Sequence, residues 1–286
     1  AKGLTLESAS GSGTIAIEAT ADAASAGVQD LVLVGFKAHD WESGLDLVRP
    51  LVGPSTVVVP MLNGIPWWYL DGLDGRHGER RLASVDPSGA IGAAIPTGQI
   101  LGGVLYIGAS RSAPNVIAWN GRKRLLVGEA LGARGQRLAE VVAFLKAGGV
   151  DAEATDDIRF EVWQKLLGNA AYNPISAVTG ATIDRIADEA EVRAVAKAIM
   201  VECIAVAAAL GVGNLPEAEA RLEVPAGLVG IKTSMLQDME AGRPLELGAI
   251  AGAVAELGRR TGVPTPTIDC VGALAGQAWR QRWARG

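Results

Sequence analysis

Asp30-Leu-Val-Leu-Val-Gly35 and Val57-Val-Val-Pro-Met-Leu62 are two short runs of mostly apolar residues. The first ends in a glycine, and the second is followed directly by Asn63. Such runs are typical of strands that are buried on both faces of a parallel sheet. Between them, residues 40–52 have the apolar spacing of a helix, so the three segments predict a strand–helix–strand unit. A third strand is predicted at 102–107 and a fourth at 124–127.

The sequence pattern changes near Asp156, where long helical spacing replaces the short apolar runs. Because 286 residues exceed the usual size of a single hydrophobic core, we predict two domains. The first, residues 1–155, is predicted to be an α/β domain with a parallel sheet, and the second, residues 156–286, to be all helical. The predicted helices of the second domain cover 157–171, 191–210, 216–222 and 247–261, and a last helix begins at Thr267.

The composition excludes several classes of protein. The net charge is -5 and no basic block occurs, so nucleic acid is not an expected partner. Cys203 and Cys270 are far apart and lack neighbours at metal-ligand spacing, which predicts no metal site and two buried cysteines in a reducing compartment. No run of about eighteen apolar residues and no signal peptide is found, so we expect a cytoplasmic protein without membrane contact.

One glycine motif near the start is predicted to be structural. Gly11-Ser-Gly-Thr-Ile-Ala16 has the form G-x-G-x-x-A of a phosphate-binding loop. Residues 14–18 alternate as a strand, however, whereas a phosphate-binding loop must open a helix. Because residues 4–7 alternate in the same way, we predict a hairpin here.

Lys165, Asn169 and Asn173 form the main polar pattern of the second half. Their i, i+4, i+8 spacing keeps them within about 80° of one another around a helix, in otherwise apolar surroundings. Pro174 predicts that this helix breaks after Asn173. In one interpretation, Lys165 reaches solvent and the asparagines satisfy backbone groups. In the other, the stripe borders a cleft in which a desolvated lysine acts as a general acid for carbonyl reduction.

Four more residues are candidates for the site. Glu246 precedes a predicted helix, so it either complements the helix dipole or holds the ammonium of Lys165 or a product hydroxyl. Ser234 offers a hydroxyl in the same region. Asn63 follows the second strand, where open α/β sheets bind ligands, although Asn-Gly is also a common turn. Lys37 follows the first strand, and a lone lysine there is more often simply solvated.

Four segments together resemble the ketopantoate (2-dehydropantoate) reductase family, in the order and at the spacing of that family. The resemblance extends over essentially the whole chain. It implies a Rossmann-like domain followed by a helical domain like that of 6-phosphogluconate dehydrogenase. It also implies a first strand, phosphate loop and first helix that precede Ala1 in complete members and are absent from this chain. The segments are Leu33-Val-Gly-Phe-Lys37-Ala38, Leu62-Asn63-Gly64, Trp163-Gln-Lys165-Leu-Leu-Gly-Asn169-Ala-Ala-Tyr-Asn173-Pro-Ile-Ser-Ala177, and Thr233-Ser234-Met-Leu-Gln-Asp238 with Glu246.

The activity that the resemblance implies is the NADPH-dependent reduction of a 2-keto acid to a 2-hydroxy acid, with ketopantoate as the leading substrate, in pantothenate biosynthesis. Lys165 is similar to the family's proton donor, and Glu246 to its catalytic acidic residue. Asn169 and Asn173 are similar to the substrate-binding asparagines. Ser234 is similar to the hydroxyl that meets the substrate carboxylate.

The resemblance also implies cofactor contacts, at Lys37, Asn63, Ala109 and Glu246, with Asn63 reaching the substrate as well. The chain departs from the family in lacking its glycine-rich loop, which leaves the choice between NADP and NAD to analogy. Ile183 stands where some members have a further substrate-binding asparagine, and Gly248 stands where many have an aspartate.

Two alternatives to this activity stay open at this stage. The chain could reduce another 2-keto acid, or it could be a catalytically silent binding or assembly module. A homodimer is also considered, because the long apolar helices at 192–210 and 250–257 suggest partner surface as well as core.

Overall fold

The computed structural model describes residues 3–73, 75, 78–132, 135–223 and 228–283, without the side chains of 120–123. The strands are β1 Leu4–Ser8, β2 Gly11–Ile15, β3 Leu31–Val34, β4 Val57–Pro60, β5 Leu101–Ala113, β6 Val116–Glu129 and β7 Ala152–Ala154. The helices are α1 Trp41–Val48, α2 Ala90–Ala94, α3 Gln136–Ala147, α4 Ile158–Thr179, α5 Ile183–Asp188, α6 Ala190–Ala209, α7 Ala218–Leu222, α8 Ser234–Glu240, α9 Ala253–Thr261 and α10 Pro266–Trp283. A π-helical turn, Gly248–Gly252, leads directly into α9.

The chain forms two compact units, each built from more than one stretch of sequence. The first unit comprises 1–35, 43–61 and 94–158, and the second comprises 36–42, 62–93 and 159–286.

The first unit is an α/β structure with one parallel sheet and one mixed sheet. Strands β3 and β4 pair in parallel, and α1 lies between them in the sequence, as predicted. The other sheet has the order β2-β1-β6-β5, with β7 in parallel beside β6. The strands predicted at 102–107 and 124–127 belong to β5 and β6, which are longer than predicted and pair antiparallel. They cannot be parallel neighbours because a two-residue turn joins them, whereas parallel strands need a long crossover.

The hairpin predicted near the start is confirmed. Strands β1 and β2 pair antiparallel, with Leu4 opposite Ile15 and Ser8 opposite Gly11. The motif that begins at Gly11 is therefore a strand and opens no helix, as predicted.

The core of the first unit lies between the sheet and α3, a helix that the sequence did not predict. Leu138, Val141 and Leu145 of α3 pack with Leu101 of β5 and Val127 of β6, all of them buried. Each such side chain gains roughly 1.5 to 3 kcal/mol from leaving water.

The second unit is mainly helical, as the spacing predicted. Helices α4, α6, α9 and α10 lie close to the predicted positions, and α6 contacts both α9 and α10. The carboxylate of Glu202 on α6 accepts hydrogen bonds from the backbone N–H groups of Thr267 (2.9 Å) and Ile268 (3.0 Å). It thereby satisfies free donors at the beginning of α10. Helices α2, α5 and α8 were not predicted.

Two simple expectations can be compared with the described residues. Cys203 is buried, as predicted, but Cys270 is exposed, because it lies on an outward face of α10. No helix in the described ranges is both long enough and apolar enough to span a bilayer.

Candidate active site

Helix α4 carries the polar stripe that the sequence singled out. Its buried face includes Trp163, Leu166 and Leu167, all at most 1% exposed, and the indole of Trp163 donates to the hydroxyl of Tyr69 (2.6 Å). This packing fixes the rotation of the helix. It therefore decides where the neighbouring polar residues, Lys165 and Asn169, point.

The predicted break of α4 at Asn173 is wrong, because the helix continues through Pro174 to Thr179. A proline inside a helix removes one backbone hydrogen bond and crowds the preceding turn, which costs about 3 kcal/mol or more. Burial of the following turn offsets that cost, since Ile175, Ser176 and Ala177 are all buried. Asn173 is consequently a buried helical residue, 5% exposed, and not the end of the helix.

Lys165, Asn63 and Glu246 form a chain of hydrogen bonds. The ammonium of Lys165 donates to Oδ1 of Asn63 (2.8 Å), and Nδ2 of Asn63 donates to Oε2 of Glu246 (3.2 Å). A lysine only donates and an ionised carboxylate only accepts, so one orientation of the Asn63 amide serves both. Asn63 thus holds the ammonium and the carboxylate in a fixed relation.

The carboxylate of Glu246 is bound by groups far along the chain. It is 5% exposed, and its Oε1 accepts from the backbone N–H of Ala38 (3.3 Å) in addition to the bond from Asn63. Its backbone carbonyl accepts from Ile250 and so begins the next helix (3.2 Å). Of the two interpretations of Glu246, these contacts favour the one in which its carboxylate positions other groups.

Gly64 explains how Asn63 comes so close to this region. It has a φ of 85°, which glycine adopts without strain, and a Cβ at this position would lie 2.3 Å from the carbonyl oxygen of Ala249. The next residue, Ile65, donates its N–H to that same oxygen (2.8 Å). The Asn-Gly pair therefore forms a turn, and this turn places the Asn63 side chain within hydrogen-bonding distance of Glu246.

Burial lowers the pKa of Lys165 to about 8, while the negative charge of Glu246 acts in the opposite direction. A lysine in water keeps its proton far above neutral pH, so it is a poor acid there. With a pKa of about 8, Lys165 is still mainly protonated at neutral pH and gives up its proton more readily. Both properties suit a general acid.

Lys37 is not simply solvated, because it forms an ion pair with Asp238. The carboxylate of Asp238 is 4% exposed and also accepts from Nε of Arg243 (2.8 Å). Sequence reasoning quoted Asp238 only as part of a motif and missed Arg243. The ion pair between Lys37 and Asp238 joins residues 201 positions apart, which no local spacing reveals.

Ser234 is the first residue of α8 and is exposed to solvent. The residue before it, Thr233, caps the helix by accepting from the N–H of Leu236 (3.1 Å). The Thr233 hydroxyl also hydrogen bonds to the hydroxyl of Ser176 on α4. This contact holds the beginning of α8 against α4, one turn beyond Asn173.

The structure brings only some of the predicted residues into direct contact. Lys165, Asn63 and Glu246 are joined by hydrogen bonds, and Lys37 precedes Ala38, whose N–H binds Glu246. Asn169, Asn173 and Ser234 lie on α4 and α8 of the same unit. Ala109 lies in the other unit, exposed on β5 beside a register shift, and its cofactor role stays a prediction.

A pocket of about 190 Å³ lies against Glu246. Its lining includes Ala38, His39, Ser84 and Gly248. Typical ligand pockets measure roughly 300 to 1,000 Å³, so this pocket by itself takes a part of a large ligand, such as one ring.

Known proteins resemble this chain over most of its length. Residues 1–132 match the family model described as ketopantoate reductase PanE/ApbA, and residues 157–278 match the model of the C-terminal part of the same family. The 2-dehydropantoate 2-reductase of Mesorhizobium japonicum is 44% identical over 259 residues, which are 90% of this chain and 79% of that protein.

Solved structures agree with these matches. A protein from Ralstonia solanacearum MolK2, assigned as a ketopantoate reductase, has a TM-score of 0.92 and 40% identity, over 98% of this chain and 86% of its own. A D-mandelate dehydrogenase solved with NADH and anilino(oxo)acetate has a TM-score of 0.80 over 97% of this chain and 85% of its own. Its 20% identity shows a shared fold alone.

These matches confirm the predicted fold class, a Rossmann-like α/β part followed by a helical part. The chain therefore belongs to the ketopantoate reductase PanE/ApbA family of oxidoreductases.

Proposed function

We propose that this chain catalyses the NADPH-dependent reduction of ketopantoate (2-dehydropantoate) to pantoate, a step of pantothenate biosynthesis, with Lys165 as the general acid. The observation that carries the proposal is the hydrogen-bonded chain of Lys165, Asn63 and Glu246, in which burial lowers the pKa of the lysine to about 8. Membership of the family and the similarity to the Mesorhizobium enzyme support the same reaction.

A nicotinamide cofactor would supply the hydride to the carbonyl carbon. The residues proposed to hold it are Lys37, Asn63, Ala109 and Glu246. Two observations fit such a ligand: the pocket beside Glu246 has room for one ring, and the side chain of Lys37 is about one third exposed beside its ion pair with Asp238.

The protein's own groups are proposed to act on the oxygen and carboxylate of the substrate. Lys165 donates a proton to the carbonyl oxygen as that oxygen gains negative charge. Asn63 keeps the ammonium in place, and Glu246 favours its protonated form by charge. Asn169 and Asn173 bind the substrate, and Ser234 donates to its carboxylate.

The test is a kinetic survey of the complete protein with a panel of 2-keto acids and with both NADPH and NADH. We expect the highest kcat/KM for ketopantoate with NADPH. A higher value for another 2-keto acid would reassign the substrate, and a higher value with NADH would reassign the cofactor. A failure to bind either cofactor in calorimetry would support the silent binding module instead.

We further propose a homodimer in the cytoplasm. The α6 helix exposes Val195 and Val201, which suits a contact with a second copy. Residues 250–257 contribute less to such a surface than expected, because Ile250, Val254 and Leu257 are fully buried in their own unit. Light scattering at several protein concentrations would measure the mass, and a monomer at all of them would overturn the dimer.

A further inference from the structure

The guanidinium group of Arg221, on α7, has no partner among the residues that the structure describes. Its Nε is buried without a hydrogen bond, and the described residues offer it neither a hydrogen bond nor an ion pair. The residue as a whole is partly exposed, but a buried donor such as Nε is costly when it has no hydrogen bond. A donor of this kind can be satisfied by a bound ligand that carries hydrogen-bond acceptors.

Arg221 lies against the helix that carries Lys165. A Cβ built on Gly168 of α4 would lie 3.3 Å from Nη2 and 3.9 Å from Cζ of Arg221. The positive charge also reaches Tyr172, one turn further along α4, where it opposes the rise in the pKa of the phenol that burial causes. A side chain at Gly168 would therefore crowd the guanidinium and shift it by a few tenths of an ångström.

A second unsatisfied donor follows Gly168 directly. Nδ2 of Asn169 is buried and has no hydrogen-bond partner in the described parts of the chain. Around the helix axis, Gly168 lies about 60° to one side of Lys165, and Asn169 lies about 40° to the other side. The two unpaired donors therefore flank the proposed general acid within a single turn of α4.

We propose that Arg221, assisted by Asn169, binds the carboxylate of the 2-keto acid substrate. This inference rests on the proposed function and adds a specificity residue to it. A substrate hydroxyl would satisfy one hydrogen bond but leave the positive charge of Arg221 unpaired, whereas a carboxylate supplies two acceptors and the opposite charge.

The place where Arg221 meets α4 also favours the substrate carboxylate as its ligand. In a 2-keto acid the carboxylate is bonded directly to the carbonyl carbon, so the group that neutralises it must lie near the general acid. Gly168 is about 4.5 Å along the helix axis from Lys165. Ser176, which contacts Thr233 just before α8, is about 16 Å along the same axis. Ser234 can add a neutral hydrogen bond, but the charge comes from Arg221.

The test compares Arg221→Gln and Arg221→Lys with Arg193→Gln in the complete protein. Arg193 is a matched control, because it lies beside α7 but is ion-paired with Glu219. Each variant is assayed with the 2-keto acid and with the corresponding uncharged 2-oxo amide. Circular dichroism establishes that the variants are folded, and Arg221→Lys serves if Arg221→Gln is not.

We expect Arg221→Gln to raise KM for the keto acid about 10- to 100-fold, the effect of losing a hydrogen-bonded charge, with KM for the cofactor unchanged. KM for the amide should stay the same, so that discrimination between acid and amide disappears. Arg221→Lys should recover part of the discrimination, and Arg193→Gln should leave it intact. Equal losses on acid and amide, or no change in KM for the acid, would overturn the proposal.

Failure of the proposed function would look different. In that case the wild-type protein would reduce none of the keto acids. Binding of the keto acid to wild-type and Arg221→Gln protein would then be measured by calorimetry, without turnover. Weaker binding to the variant would support the carboxylate site, and equal affinity would overturn it.

Discussion

The ammonium of Lys165 is under two opposing influences. Burial favours its neutral form, and the carboxylate of Glu246 favours its charged form. Burial is the larger effect, and the result is a pKa of about 8. The protonation state of this one side chain should therefore govern the pH dependence of the reaction.

The rate of keto-acid reduction should fall as pH rises through about 8, because only protonated Lys165 can donate. Glu246 raises the pKa of Lys165, so Glu246→Gln should lower that pKa and move the falling limb to lower pH. The measurement is kcat/KM for the keto acid against pH.

Glu240→Gln is the matched control for this substitution, since Glu240 is ion-paired with Lys232 at the surface of α8. Its profile should coincide with that of the wild type. If the falling limb of the kcat/KM profile stayed in place in Glu246→Gln, or moved to higher pH, Glu246 would not be raising the pKa of Lys165.

Gly168→Ala should change stability and substrate affinity in opposite directions. Alanine in a helix is more favourable than glycine by roughly 0.5 to 1 kcal/mol, so the free energy of unfolding should rise. The new methyl group crowds the tip of Arg221, so KM for the keto acid should rise a few-fold. Denaturant unfolding and steady-state kinetics measure the two effects.

Gly276→Ala on α10 is a close control, because its Cβ would also meet an arginine tip, that of Arg280, at 3.3 Å. It should gain stability without a change in KM. If KM for the keto acid were the same in Gly168→Ala and Gly276→Ala, Arg221 would have no role in substrate binding.

Among the elements, α8 depends on a single capping residue. Thr233 accepts from the N–H of Leu236 and hydrogen bonds to Ser176 of α4, so one hydroxyl both begins α8 and docks it. Because Ser234 is the next residue, the same hydroxyl also sets the position of a proposed substrate contact.

Thr233→Ala should lower the free energy of unfolding by about 1 to 2 kcal/mol, the usual cost of losing a cap. Thr233→Ser keeps the hydroxyl and should recover most of the loss. Thr261→Ala is the control, since among the described residues that hydroxyl bonds only back to the carbonyls of Leu257 and Gly258 in its own helix. Urea unfolding compares them, and equal stability of Thr233→Ala and the wild type would contradict the role of the cap.

The elements differ in how far the sequence could predict them. Long helices such as α4 and α6 repeat the helical spacing many times and were predicted. Helix α8 has only seven residues, too few for a clear pattern, and was missed. The effect of Pro174 was predicted wrongly, because local geometry favours a break and only tertiary burial opposes it.

At the scale of the whole molecule, the site depends on contacts between distant parts of the chain. Lys165 and Asn63 are 102 positions apart, and Asn63 and Glu246 are 183 apart. Periodicity suggested that Lys165 borders a cleft, and the family resemblance supplied the other residues. Neither the periodicity nor the family resemblance shows which side chains form hydrogen bonds or ion pairs with one another. The partners of Lys37, and the unpaired state of Arg221 beside Gly168, could be found only in the folded chain.

The central claim is that Lys165 supplies the proton for carbonyl reduction. Its most direct test is the single-turnover rate of ketopantoate reduction by Lys165→Ala in the complete protein, alongside the affinity for NADPH. We expect the rate to fall by roughly 10²- to 10⁴-fold, as is typical for the loss of a general acid, with cofactor affinity almost unchanged. A rate close to that of the wild type would contradict the assignment of Lys165.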